Sequence, residues 1–403
     1  MPDACHTPFW WERQGLCYEK GNLCFAGNKA QALARRFGTP TFLYSAPRIR
    51  ENLARLRQAL ETTGRPYRLH YAMKANRFAP ILTLMATERL CGIDACSPEE
   101  VMHAMGCGFK ESDISYTATA VSNEDLDTLA RFEKLHINCD AISTLRRLGT
   151  RAPGRNIGLR INPAMGVGYG DNALLRYSGE STTKFGIYAE QFDEALETAA
   201  KHKLAVTTLH LHTGCGYLSD QLAPWEQILE EAKAFAEKIP GLRTINLGGG
   251  LGVPHTPTDT ALDLGQWAAV IKRVFGDSGL TIEVEPGDYI AKDAGLLLLT
   301  ANTVETRRST RYIGVDGGFN IAVEPAFYRL PFEPVVTRLK KGPLLPATVA
   351  GNINEALDLF SEGIPLPPVE EEDTLALINA GAYASSMSSN HCMRGQFREV
   401  LLF

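Results

Sequence analysis

A chain of 403 residues, 44% apolar and 22% charged with a net charge of −5, reads as a globular protein too long for one small core. That balance leaves no basic footprint for nucleic acid, and no run of about 20 apolar residues is present to span a membrane. Met1-Pro2-Asp3-Ala4-Cys5-His6 has no basic region leading into an apolar stretch, so no secretory signal is read and the cytoplasm is the default compartment.

The nine cysteines are irregularly spaced and form no Cys-x-x-Cys pair. Reduced thiols acting as small hydrophobes are expected, rather than a disulfide framework or a structural zinc site. His210-x-His212 would point both rings to one face of a strand. No helical His-x-x-x-His or carboxylate partner completes a ligand set, so no metal is expected.

From about residue 38 to 290, short apolar runs alternate with amphipathic stretches. Strands are expected at Thr41–Tyr44, Leu69–Ala72, Ile93–Ala95, Ile137–Cys139, Ile157–Ile161, Val206–His212, Thr244–Leu247 and Ile282–Val284. Helices are expected at Pro47–Leu60, Pro80–Arg89, Pro98–Met105, Ala189–Lys201 and Gln221–Lys238. Such alternation indicates parallel βαβ units, and seven or eight of them suit a (β/α)8 barrel, with a doubly wound open sheet as the alternative. After Asp293 the text becomes strand-rich: Gly295–Ala301, Arg311–Val315, Pro334–Arg338, Ala347–Ala350 and Thr374–Asn379. The expected organisation is a barrel over 36–290, with a β-rich domain formed by 291–403 and by 1–35, where Leu23–Ala26 offers a further strand.

Four segments could carry chemistry. His70-Tyr71-Ala72-Met73-Lys74-Ala75-Asn76 puts a lysine at the C-terminal end of an apolar strand, where barrel active sites lie. A partly desolvated amine there can form a Schiff base with an aldehyde, although a snorkelling surface lysine has the same local pattern. Asn246-Leu247-Gly248-Gly249-Gly250-Leu251-Gly252 follows another strand; its amides could wrap a phosphate, or it is only a tight turn. Glu285 in Glu285-Pro286-Gly287 ends the last barrel strand and could keep a pyridine nitrogen protonated, or pair with an arginine such as Arg160. His212 could stack on a cofactor ring or be a hydrogen-bonded core histidine.

Together these segments resemble the fold-type III, alanine-racemase-like decarboxylases that use pyridoxal 5′-phosphate (PLP), with diaminopimelate decarboxylase the nearest match and ornithine and arginine decarboxylases as relatives. The resemblance runs over nearly the whole chain. It includes Gly38-Thr39-Pro40-Thr41-Phe42-Leu43-Tyr44, the Lys74 segment, Arg160-Ile161-Asn162-Pro163, Lys184-Phe185-Gly186, the His212 segment, the triple glycine, Glu285-Pro286-Gly287, Val315-Asp316-Gly317-Gly318 and Gly381-Ala382-Tyr383. It implies that Lys74 carries PLP, His212 stacks on the ring and Glu285 pairs with the pyridinium. It also implies that Gly248, Gly249 and Gly250 cradle the phosphate with Tyr383, and that the enzyme is a head-to-tail homodimer with shared active sites acting on a small-molecule amino-acid substrate.

The chain departs from that pattern at four places. Glu-Pro-Gly-Arg is here Glu285-Pro286-Gly287-Asp288, and Arg-Pro-Ala-Leu-Tyr is Glu324-Pro325-Ala326-Phe327-Tyr328. Carboxylates at Asp288 and Glu324 would repel a distal carboxylate that arginine would bind, so a cationic or neutral distal group is expected near Asp288, Glu324, Tyr328 and Glu355. Arg311 or Arg329 could supply the missing charge instead. The cysteine acid of the family aligns with Asn354, whose amide is not a usable acid, and a phosphate-binding serine is replaced by Cys215. The leading reading is an amino-acid decarboxylase. A racemase or decarboxylating transaminase on the same scaffold is the alternative, and a non-catalytic PLP carrier is disfavoured by the extra β domain.

Overall fold

Alternation along short strands builds the larger unit. In Tyr67–Ala72 (β1), Leu69 and Tyr71 are buried and apolar, while Arg68 and His70 occupy the other face. The same two-residue period recurs in Gly92–Ala95 (β2), Ile114–Ala118 (β3), His136–Cys139 (β4), Asn156–Arg160 (β5), Ala205–His210 (β6), Thr244–Asn246 (β7) and Thr281–Val284 (β8). Each strand pairs in parallel with the next, and β8 returns to β1, closing an eight-stranded barrel. Ala79–Thr87, Pro98–Gly106, Asn123–Leu129, Ile142–Arg151, Phe192–Lys201, Leu222–Ala236 and Leu264–Phe275 are the helices between successive strands. Pro98 opens its helix behind Ser97, whose hydroxyl accepts the Glu100 amide, a standard N-cap.

The barrel interior is polar. Ser115 on β3 donates to Glu285, just beyond β8, at 3.2 Å, and these strands are not neighbours, so the bond crosses the barrel. Asn138, His210, Asn246 and Glu283 are buried on that inward face, and Ile93, Ile114, Tyr116, Ile137, Leu159, Leu209 and Ile245 lie on the outward one. Burying such polar groups is tolerated because they bond one another.

This computed structural model describes residues 9–403 apart from 170, 171, 176 and 180. The segment Met1 to His6, on which the absence of a signal was read, lies outside the described residues. Contacts divide the chain into Arg50–Val253 with Thr260–Ile290, which carry the barrel, and Met1–Ile49, Pro254–Asp259 and Ala291–Phe403, which form a β-rich unit. The β-rich unit is organised on Gly295–Arg307, whose Leu296, Leu297, Leu298 and Leu299 are fully buried. It pairs with Thr374–Ile378, Thr310–Val315 and Thr41–Ser45. Leu23 and Phe25, from a small three-stranded sheet, pack in one core with Leu296, Leu298 and Ile378.

Three strands differ from expectation. Thr41–Ser45 is not a barrel strand; it lies between Gly295–Arg307 and Arg398–Leu402 in the β-rich sheet, buried on both faces. The remaining barrel strand is Ile114–Ala118, hidden in the sequence because inward Ser115 and Thr117 break its apolar run. Leu359–Leu366 is a further strand of the β-rich unit that polar residues masked. Among the described residues, no helix is long and apolar enough to cross a membrane.

Candidate active site

The C-terminal ends of the barrel strands gather one set of polar side chains. Lys74 follows β1 in the short helix Met73–Ala75. Its ammonium lies 3.3 Å from the Asp94 carboxylate of β2 and 3.6 Å from the Cys96 thiol. A buried carboxylate thus stands beside the amine, and the lysine side chain, read from the sequence as partly desolvated, is 42% exposed. Burial, and then the Glu285 charge, raises the Asp94 carboxyl, with Lys74 opposing.

Glu285 is buried and held from three sides. His210 lies 3.0 Å from its Oε2, while Asn246 Nδ2 donates to Oε1 at 2.7 Å and Ser115 donates to Oε1 at 3.2 Å. Burial alone would raise this carboxyl; the His210 charge and hydrogen bond, with His70 and Lys74, outweigh it and hold the group below the carboxylate range. The partner of Glu285 is thus His210 rather than Arg160, whose guanidinium rests over the Phe185 ring at 4.9 Å.

His212 is neutral here, because burial, then the Lys74 and Arg160 charges, push its imidazole well below the ordinary histidine range. Its Nδ1 accepts the Gly249 amide at 3.2 Å, and Tyr177 meets its ring edge-on at 4.8 Å. His210 thus engages Glu285 through Nε2, and His212 engages the glycine turn through Nδ1.

The glycine turn is shaped by crowding. A side chain at Gly248, which has φ +66°, would stand 2.4 Å from the Leu211 carbonyl oxygen. One at Gly250, with φ +97°, would stand 2.6 Å from that of Gly214, so only glycine fits either place. The Gly248 amide is taken by Asn246 Oδ1 at 2.9 Å and the Gly249 amide by His212. Among the described residues, the Gly250 amide meets no protein acceptor. Cys215 sits beside this turn in Gly214–Cys215, paired with Val167–Gly168. Asp288 opens the short helix Asp288–Ala291 and is buried.

An amine at one strand end, an ionised acid at another, a neutral imidazole and a crowded glycine turn with an open amide form a donor set that fits a phosphorylated pyridine aldehyde. Residues 47–292 match the family model for the pyridoxal-binding domain of pyridoxal-dependent decarboxylases. The chain belongs to the pyridoxal-dependent decarboxylases. It is 34% identical to the diaminopimelate decarboxylase of Methanothermobacter thermautotrophicus, over 95% of this chain and 91% of that one. It is 30% identical to the diaminopimelate decarboxylase of Escherichia coli K12, over 92% and 90% of the two chains. The crystal structure of diaminopimelate decarboxylase from M. jannaschii in co-complex with L-lysine superimposes with a TM-score of 0.87 at 26% identity, covering 96% of this chain and 92% of that one.

In the β-rich unit of this decarboxylase, Glu324 is buried and its carboxylate is bonded by the ammonium of Lys292, which is itself fully buried and sits over the Phe332 ring at 5.3 Å. Its negative charge is therefore matched within the unit. Lys292→Met is expected to remove that cation and destabilise the protein by about 3–5 kcal/mol, with much of the loss recovered in Lys292→Met/Glu324→Leu. Urea unfolding midpoints measure this; a single variant as stable as wild type would show that the pair is not a stabilising contact.

Glu324 opens the helix Glu324–Tyr328, which ends in Tyr328, partly buried, with Arg329 in the left-handed region. Asn354 and Glu355 are exposed on a loop held by buried Asp358, whose oxygens accept the Ile353 amide at 2.7 Å and the Phe319 amide at 2.6 Å. Glu355 lies 3.4 Å from His391. Tyr383 is partly buried and holds φ +53°, an uncommon conformation for a bulky side chain and a frequent mark of a functional position.

Sequence reasoning gave no role to Asp94, Cys96, Ser115 or Asn246. A carboxylate inside the otherwise apolar Gly92–Ala95 strand was the one available signal for Asp94.

Proposed function

We propose that this decarboxylase removes the α-carboxylate of an amino acid whose distal group is cationic or neutral. The observation that carries the distal-group reading is the absence of a guanidinium at Asp288 and at Glu324. Because Lys292 matches the Glu324 charge, the reading rests on missing attraction rather than on repulsion by a second carboxylate.

Lys74 would hold PLP through its ε-amino group, and the neutral His212 ring would lie against it. Glu285 would hold the proton on the pyridine nitrogen, and the Gly250 amide would bind phosphate, Gly248 and Gly249 giving the turn its shape. When bound, PLP would supply an electron sink for the loss of CO2 from Cα. Asn354 offers no acid to return a proton to Cα. The Lys74 amine, with the Asp94 carboxyl 3.3 Å behind it, is the proton source we favour.

The β-rich unit exposes Phe327, Leu357, Met387 and Met393. Phe327 packs against Phe319, Phe319 against His391, and His391 reaches Glu355, so apolar surface surrounds the loop that carries Asn354. A second copy of the chain is the occupant that fits, giving a homodimer with shared sites. Among the described residues eight cysteines are free thiols, which suits a reducing cytoplasm.

The test is CO2 release and product mass from the PLP-loaded protein offered diaminopimelate, L- and D-lysine, ornithine and arginine. Release from a cationic substrate, with the amine as product, supports the proposal. Faster turnover of diaminopimelate than of the others would overturn the distal-group reading. Racemisation without CO2 would overturn the decarboxylase reading.

A further inference from the structure

Asn246 is the last residue of β7 and is fully buried. Its Nδ2 donates to Glu285 Oε1 at 2.7 Å and to Glu283 Oε2 at 3.4 Å, and its Oδ1 accepts the Gly248 amide at 2.9 Å. The orientation of this carboxamide is enforced by chemistry. Flipping it would turn the oxygen toward two carboxylates and the NH2 toward an N–H. Each end of one short side chain thus serves a different part of the site.

We infer that Asn246 is a positioning residue that ties the Glu285 carboxylate and the first amide of the glycine turn into one rigid unit. The inference rests on the reading of Glu285 as the group that keeps the ring nitrogen protonated. No other residue type supplies both contacts at this length: aspartate lacks the donor, and serine is too short to span the gap. The backbone closes the same unit, since the Leu247 amide donates to Glu283 O and the Glu285 amide to Gly248 O, both at 2.8 Å. A shift of Asn246 would therefore be felt at the acid and at the turn together. Other titratable groups facing Glu285 are His210 on β6, His212 after β6, His136 on β4, His70 on β1, Lys74 after β1, Asp94 on β2, Cys96 after β2 and Arg160 on β5. His212 also meets the turn, at the Gly249 amide, but its ring makes no hydrogen bond to Glu285 among the described residues, whereas Asn246 bonds both.

The experiment uses PLP-loaded wild type, Asn246→Asp, Asn246→Ala, Glu285→Gln and the double variant Asn246→Asp/Glu285→Gln. Cofactor affinity, kcat, KM and the pH dependence of cofactor absorbance are measured. Asn246→Asp keeps an oxygen for the Gly248 amide and loses the donor to Glu285. It is expected to hold the cofactor within about threefold of wild type while kcat falls about tenfold or more. The loss should be greatest at high pH, because protonating the new carboxyl restores a donor. Asn246→Ala loses both contacts and should weaken cofactor affinity by about tenfold as well. In the Glu285→Gln background, Asn246→Asp should cost little further turnover.

An Asn246→Asp enzyme with wild-type kcat and pH profile overturns the inference. So does an equal loss in both backgrounds, or a lowered melting temperature with no change in either readout. If Asn246→Asp does not yield folded protein, Asn246→Ser carries the same expectation as Asn246→Ala. Should Glu285→Gln itself turn over like wild type, it is the reading of Glu285 that fails, and that outcome is visible before any Asn246 variant is compared.

Discussion

Lys74→Ala is expected to purify as a folded protein without the absorbance at the edge of the visible that lysine-bound pyridoxal gives, and without measurable CO2 release. The expectation follows from position. Lys74 is the amine at the C-terminal end of β1, next to the buried Asp94 and within the same strand-end ring as His212, Glu285 and the glycine turn. Lys292, by contrast fully buried, is bonded to Glu324 in the β-rich unit and is already committed. Added methylamine should restore part of the turnover, since it replaces the missing amine without replacing its tether. An unchanged spectrum in Lys74→Ala would remove Lys74 from the site.

Glu285→Gln is expected to retain bound PLP and lose about a hundredfold in kcat, because a neutral amide cannot hold the charge of a protonated ring nitrogen. The glutamine occupies the same volume and can still bond Asn246 or His210, so the fold should be preserved. The His210 charge and hydrogen bond keep the wild-type carboxyl below its ordinary 4.5, so its own protonation should not depress the rate from about pH 5 upward. Turnover within twofold of wild type, at about equal cofactor affinity, would take Glu285 out of the chemistry.

How much of this was legible in the sequence depends on what each residue contacts. The barrel could be read because βα alternation leaves a periodic trace, and Lys74, Glu285 and the triple glycine could be read because each sits where a strand ends. Ile114–Ala118 could not be read as a buried strand, since its inward side chains are Ser115 and Thr117, chosen to bond Asn138 and Glu285 rather than to fill an apolar core. Thr41–Ser45 misled for the opposite reason: a strand buried on both faces looks the same in a β-rich sheet as in a barrel. Charge reversal at position 324 was visible, but its partner Lys292 was not, because 32 residues separate them in the chain. Asn246 was part of the quoted glycine segment and acquired a meaning only when Glu283, Glu285 and Gly248 were placed around it.

The most direct test of the central claim is to reduce the PLP-loaded protein with borohydride, digest it, and find the lysine that carries the pyridoxyl group by mass spectrometry. The account predicts a single modified peptide bearing the group on Lys74. A group found on any other lysine, or no modified peptide from protein shown to hold PLP, would contradict it.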